Sequence, residues 1–140
     1  MVVHQYVTSL NELEGAVAEI NNMSIAVDGQ RAPEDQPKPI FVIVSGAKDD
    51  NGKSWCPDCV KAEPVLEEAA RELAPEFSVF VTVYLGREEW KDKKCVFRTD
   101  SRFRLSAIPA LLKWPNAEPK LQEEQCANVG ALKDFFEEFA

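Results

Sequence analysis

The segment Trp55-Cys56-Pro57-Asp58-Cys59 has residue types at a spacing that can do chemistry. Two cysteines three positions apart, across the first turn of a helix, reach disulfide geometry. The first thiol then sits at the helix N-terminus, where unsatisfied backbone N–H groups and the helix dipole stabilise its thiolate. Such a site lowers a thiol pKa from near 8.5 to about 7, so about half the thiol is ionised at neutral pH. The thiolate is the attacking species in disulfide exchange. Cys56 is therefore read as the nucleophile and Cys59 as the thiol that resolves the mixed disulfide. Pro57 suits the first helical turn, where no amide donor is needed. Trp55 would shield one side of the site and offer a flat surface to a partner. Asp58 acts in two directions: it suits the helix dipole, yet a like charge within about 4–6 Å disfavours a thiolate.

A Cys-x-x-Cys pair can also be half of a zinc site, but zinc normally takes four ligands. Cys95, Cys126 and His4 stand at no ligand spacing, so the redox reading is preferred and no metal is expected. Cys95 and Cys126 read as buried, inert thiols, with a regulatory disulfide between them as the alternative. Trp90 and Trp114 read as packing residues, and Lys48, Asp49, Asp50 and Lys53 as solvated surface.

The elements that must position this pair follow from periodicity. Residues 2–7 suit a first strand. Ser9 and Glu12 fit a capping box ahead of an amphipathic helix over 10–22. Residues 28–39 are polar, carry Pro33, Pro37 and Pro39, and read as a loop. Ile40 to Val44 is apolar on both faces, as in a central strand covered by helices. After the polar loop 47–54, a helix from Cys56 buries Ala62, Val65, Leu66, Ala69, Ala70 and Leu73, with Pro64 expected to kink it. Val79 to Leu85 is a second apolar strand, and Ser101 to Leu105 a short helix. Strands over 110–114 and 120–122 flank a turn at 116–119. Asn128 caps a last helix that buries Leu132, Phe135, Phe136 and Phe139. This order describes an α/β domain with a central mixed sheet flanked by helices.

The 140 residues suit one domain, and their 45% hydrophobic content suffices for one core. The net charge of −8 repels phosphate backbones and anionic lipid, so neither nucleic acid nor a membrane surface is an expected partner. No apolar run reaches the roughly 18–20 residues of a membrane span. The first ten residues do not read as a secretory signal, so a cytoplasmic location is expected. In a reducing compartment four cysteines are more often free, catalytic or metal-bound than structurally bridged.

KSWCPDC at 53–59, with Ala62-Glu63-Pro64 after it, resembles the small thioredoxin-related proteins with a WCPDC site, the thioredoxin domain-containing protein seventeen family. The resemblance extends through Phe41-Val42, Gly46-Ala47-Lys48-Asp49, Trp90-Lys91-Asp92, Phe103-Arg104-Leu105, Ile108 to Trp114 and Glu124-Gln125-Cys126. It implies a single thioredoxin-fold domain over 1–140. It makes Cys56 the nucleophile, Cys59 the resolving thiol, and their disulfide the oxidised state. It implies that Pro109 is a cis-proline facing the site, with the Ile108 backbone free to pair with an extended substrate. It further implies a monomeric cytosolic reductase recharged by thioredoxin reductase at the expense of NADPH, with no bound cofactor. Cystine and selected protein disulfides or persulfides are the implied substrates, within cell redox homeostasis and the peroxide response. Two departures from ordinary thioredoxins stand out. The site is CPDC rather than CGPC, and the strand Ile40–Val44 lacks their buried acid, for which Glu63 is read as a stand-in.

A glutathione-dependent, glutaredoxin-like enzyme is one alternative. Its usual glycine pair after the cis-proline strand is missing, since only Gly130 follows Trp114. A redox-sensing binding module is the other, and the intact Cys-x-x-Cys argues against a scaffold without catalysis.

Overall fold

Five strands form one sheet in the order β1-β5-β4-β6-β7, in a computed structural model that describes residues 3–21, 26–27, 30–31 and 39–139. In chain order the elements are β1 (Val3–Val7), α1 (Leu10–Asn21), β2 (Ala26–Val27), β3 (Gln30–Arg31), β4 (Ile40–Gly46) and α2 (Pro57–Leu73). They continue with β5 (Val79–Leu85), α3 (Arg87–Lys91), α4 (Val96–Thr99), β6 (Ala110–Lys113), β7 (Lys120–Gln122), a 3-10 turn (Glu123–Ala127) and α5 (Val129–Glu137). β1, β5 and β4 run parallel; β6 is antiparallel to β4, and β7 to β6.

β4 is central because Ile40 to Val44 are buried on both faces. Its alternate residues separate two cores. Ile40, Val42 and Val44 pack with Leu13, Val17 and Ile20 of α1, Trp90 of α3 and Phe97 of α4. Phe41 and Ile43 pack with Ala62, Leu66, Ala69 and Ala70 of α2 and with Leu132, Phe135 and Phe136 of α5. The period of two along a strand sends these sets to opposite faces. α2 remains helical through Pro64. Asn128 caps α5 by accepting from the Ala131 N–H at 3.0 Å. No helix among the described residues is long and apolar enough to cross a membrane.

Four expectations are corrected. The capping box at α1 is half formed: Ser9 Oγ accepts from Glu12 N–H at 3.1 Å, but the Glu12 carboxylate turns to the Thr8 hydroxyl and N–H, both at 2.6 Å. Those Thr8 bonds hold the Glu12 carboxyl below its usual range. The stretch read as a loop over 28–39 contains β3, paired with β2, while 32–38 lies outside the described residues. Ser101 to Leu105 is a turn, not a helix. Asp100 organises it, its side chain accepting from Arg102 N–H at 2.8 Å and its carbonyl from the Phe103 and Arg104 N–H groups at 3.0 Å. Arg104 then takes φ 49°, which ends any helical run. The helices of this region are instead α3 and α4, which the sequence reading lacked.

The fourth correction concerns the spare thiols. Cys95 lies in the α1 core and Cys126 in the α5 core, both buried and free. The sheet between them rules out the alternative Cys95–Cys126 disulfide.

Candidate active site

The carboxyl ends of β4 and β5 carry the site. The chain leaves β4 at Gly46, makes a small hairpin, and enters α2 at Pro57. Asp49 holds that hairpin: its carboxylate accepts from the Asn51 and Lys53 N–H groups at 2.9 and 3.0 Å, and Gly52 supplies the positive φ of 78° the turn requires. The hairpin is fastened to the sheet at two points. Ala47 N–H and the Trp55 indole N–H both donate to the Leu85 carbonyl at 2.8 Å. Trp55 therefore anchors the motif.

Ser54, which the sequence reading passed over, is a buried hinge. Its hydroxyl donates to the Gly46 carbonyl at 2.8 Å and accepts from Cys56 N–H at 3.1 Å. Gly46 was missed too. A Cβ at this position would stand 2.8 Å from Cys56 Cβ and 2.8 Å from Ser54 Oγ, so only glycine lets the strand end approach the motif. Its N–H points to Cys59 Sγ at 3.4 Å.

Cys56 and Cys59 are joined as a disulfide, with Cα atoms 5.2 Å apart. Cys56 is the N-cap of α2 and Pro57 its first residue. Cys56 Sγ accepts from Cys59 N–H at 3.3 Å, and the Cys56 carbonyl takes the Cys59 and Val60 N–H groups at 3.1 Å. A helix amide thus aims at the sulfur expected to carry the charge. The Asp58 side chain, half-buried in the first turn, makes no hydrogen bond or ion pair among the described residues.

Opposite Cys56 stands the Ile108–Pro109 peptide, which is cis. The Ile108 carbonyl oxygen lies 3.9 Å from Cys56 Sγ. Trp55 and Pro57 flank Cys56 along the chain, while Ile108 and Pro109 face the pair from across the site.

Behind Cys59, on the α2 side, a small cavity of about 40 Å³ is lined by Cys59, Glu63, Ser45, Thr82 and Tyr84. Ile43, Leu66 and Pro109 complete a largely apolar lining; a water needs about 10–15 Å³ on this measure, so the cavity has room for water beside its polar groups. Lys48 is exposed, as read from sequence, and it pairs with Glu63, with its Nζ 5.8 Å from the Tyr84 ring centre. The Glu63 carboxylate pushes the Lys48 pKa up. Burial pushes the Tyr84 hydroxyl up, with Lys48 opposing. Among the described residues no group of three or more His, Cys, Asp or Glu is arranged to hold a metal ion.

Comparison with known proteins agrees with this geometry. The family described as "Thioredoxin domain-containing protein 17-like, thioredoxin domain" matches residues 11–138. Thioredoxin domain-containing protein 17 of Danio rerio is 42% identical over 102 residues, covering 72% of this chain and 80% of that protein. The Mus musculus protein of that name is 40% identical over 106 residues, covering 75% and 83%. Thioredoxin-like protein Clot of Arabidopsis thaliana is 39% identical over 77 residues, covering 53% and 57%. With a paired Cys-x-x-Cys at the start of α2 and a mixed five-stranded sheet behind it, the chain belongs to the thioredoxin domain-containing protein 17-like family and is a thiol–disulfide oxidoreductase of thioredoxin fold.

Proposed function

We propose that the chain is a single-domain, monomeric, cytoplasmic disulfide reductase, with Cys56 attacking and Cys59 resolving. Thioredoxin reductase, drawing on NADPH, would return the oxidised pair to the dithiol. Cystine and selected protein disulfides or persulfides are its substrates. The observation that carries this reading is the Cys56–Cys59 pair at the α2 N-terminus, facing the Ile108 carbonyl.

The reaction runs in two exchanges. The Cys56 thiolate attacks one substrate sulfur, the substrate S–S bond breaks, and one substrate thiol leaves with a proton. Cys59 then loses its proton and attacks Cys56 Sγ. The second substrate thiol leaves, and the Cys56–Cys59 bond forms. The substrate gains two electrons from the pair and two protons, one from Cys59 and one from the solvent that took up the Cys56 proton when its thiolate formed. The helix amide on Cys56 Sγ favours the thiolate as nucleophile in the first exchange and as leaving group when the dithiol is regenerated.

Glu63 is assigned the Cys59 proton, carried through water in the cavity both residues line. Glu63→Gln should slow release from the mixed disulfide about tenfold, a typical lower range for general-base loss being about 10²-fold and the intervening water softening it. Glu63→Asp should restore part of the rate. Equal single-turnover resolution in Glu63→Gln and wild type would remove Glu63 from the mechanism.

Recycling is tested by NADPH oxidation with purified thioredoxin reductase and cystine. Turnover that requires the reductase is expected. Efficient turnover with glutathione as sole reductant would overturn this reading in favour of a glutaredoxin-like enzyme.

A further inference from the structure

We infer that Gln122, on the edge strand β7, is a positioning residue that limits the substrate-facing loop to a single pairing residue, Ile108. This rests on the reading above that an extended disulfide-bearing segment lies along that loop. Gln122 Oε1 accepts from Ser106 N–H at 2.8 Å, Ala107 N–H at 3.2 Å and the Ser106 hydroxyl at 3.3 Å. Both amides before Ile108 are thereby occupied. On the other side, Pro109 has no N–H to offer. Its carbonyl accepts from Glu123 N–H at 2.8 Å, and Cys126 Sγ lies 3.5 Å away.

Of these residues only Ile108 still offers both an N–H and a carbonyl for an extended strand to pair with. Its N–H has no hydrogen-bond partner among the described residues, and its carbonyl faces Cys56 Sγ. An extended chain can therefore exchange bonds with one residue only, which sets its register and brings a cysteine in that chain to Cys56. Without the Gln122 carbonyl, the Ser106 and Ala107 amides become competing donors and the loop loses its fixed bend. Gln122 is itself held, since its N–H donates to Gln125 Oε1 at 3.0 Å.

The test is single-turnover mixing of the pre-reduced protein with a ten-residue peptide whose one cysteine carries a thionitrobenzoate leaving group. No reductase is involved, so recycling does not enter. In Gln122→Met the half-saturating peptide concentration should rise at least fivefold, with the saturated rate within twofold of wild type. Gln122→Glu, which keeps a carbonyl-like acceptor, should restore it. Amide hydrogen exchange at Ser106 and Ala107 should quicken in Gln122→Met and return to the wild-type rate in Gln122→Glu. Peptide N-methylated at the amides flanking its cysteine should bind wild type more weakly. If N-methylation weakens binding but Gln122→Met leaves half-saturation unchanged, the role of Gln122 is overturned and the pairing stands. If N-methylation changes nothing, the pairing at Ile108 fails and the inference falls with it.

Discussion

Cys56→Ser should reduce disulfide turnover by on the order of 10³-fold or more, the scale seen when an enzyme loses its nucleophile. A serine hydroxyl does not ionise at neutral pH, so the helix amide that Cys59 directs at position 56 has no anion to stabilise. Cys59→Ser should behave differently. Its first exchange still runs, because Cys56 and its surroundings are intact, but nothing then attacks the mixed disulfide. The protein should accumulate adducts through Cys56, visible as mass shifts that a reductant reverses. The spare thiols do not confuse the result. Cys95 and Cys126 are buried. Burial pushes the Cys126 thiol up to about 12, so it stays neutral across the range in which Cys56 works. Adducts through Cys59 in the Cys56→Ser protein, or faster alkylation of Cys59 than of Cys56 in the reduced wild type, would reverse the two roles.

Phe41→Ala should lower the unfolding free energy by about 3–5 kcal/mol. Phe41 is fully buried and sits at the centre of an aromatic layer. Its ring stacks on Phe80 with centroids 5.1 Å apart and meets Phe135, Phe136 and Phe139 edge-on at 6.0, 5.2 and 5.7 Å. Truncation removes the surface on which α5 closes against the sheet, and the neighbouring rings are themselves too tightly packed to fill the space. Domains of this kind are stable by about 5–15 kcal/mol, so the variant should be marginal at physiological temperature. Urea titration followed by circular dichroism measures the change. The folded fraction should still alkylate rapidly at Cys56, which packs in the other core. A loss below about 1 kcal/mol would mean that the layer repacks.

Long periodic segments were legible in the sequence. β4 and β5 declare themselves as runs apolar on both faces, and α2 and α5 as helical stripes, because a buried surface repeats at the period of its element. The Cys-x-x-Cys site was legible for a related reason: its chemistry is local, with both thiols and the helix start within five residues. α3 and α4 were not legible. At five and four residues they are too short for a stripe, and each contributes one buried aromatic, Trp90 and Phe97. The same shortage made Ser101–Leu105 look helical, since Phe103 and Leu105 are buried without any helix. Gly46 and Gln122 escaped for the opposite reason. Each acts on the site across a gap in sequence, and nothing in a residue's own neighbours reveals a distant backbone group. Lys48 likewise finds Glu63 fifteen positions away.

The division of the core by the sheet has a consequence for how this molecule can change over time. The electron-carrying pair belongs to one layer and the rings gathered around Phe41 to the other. Durability and chemistry are therefore open to separate variation. Substitutions among Phe80, Phe135 and Phe136 can harden or soften the molecule while its electron traffic continues. Cys126 joins the two, reaching from the aromatic layer to the Pro109 carbonyl. Drift at that position would be felt as wear and as altered chemistry together.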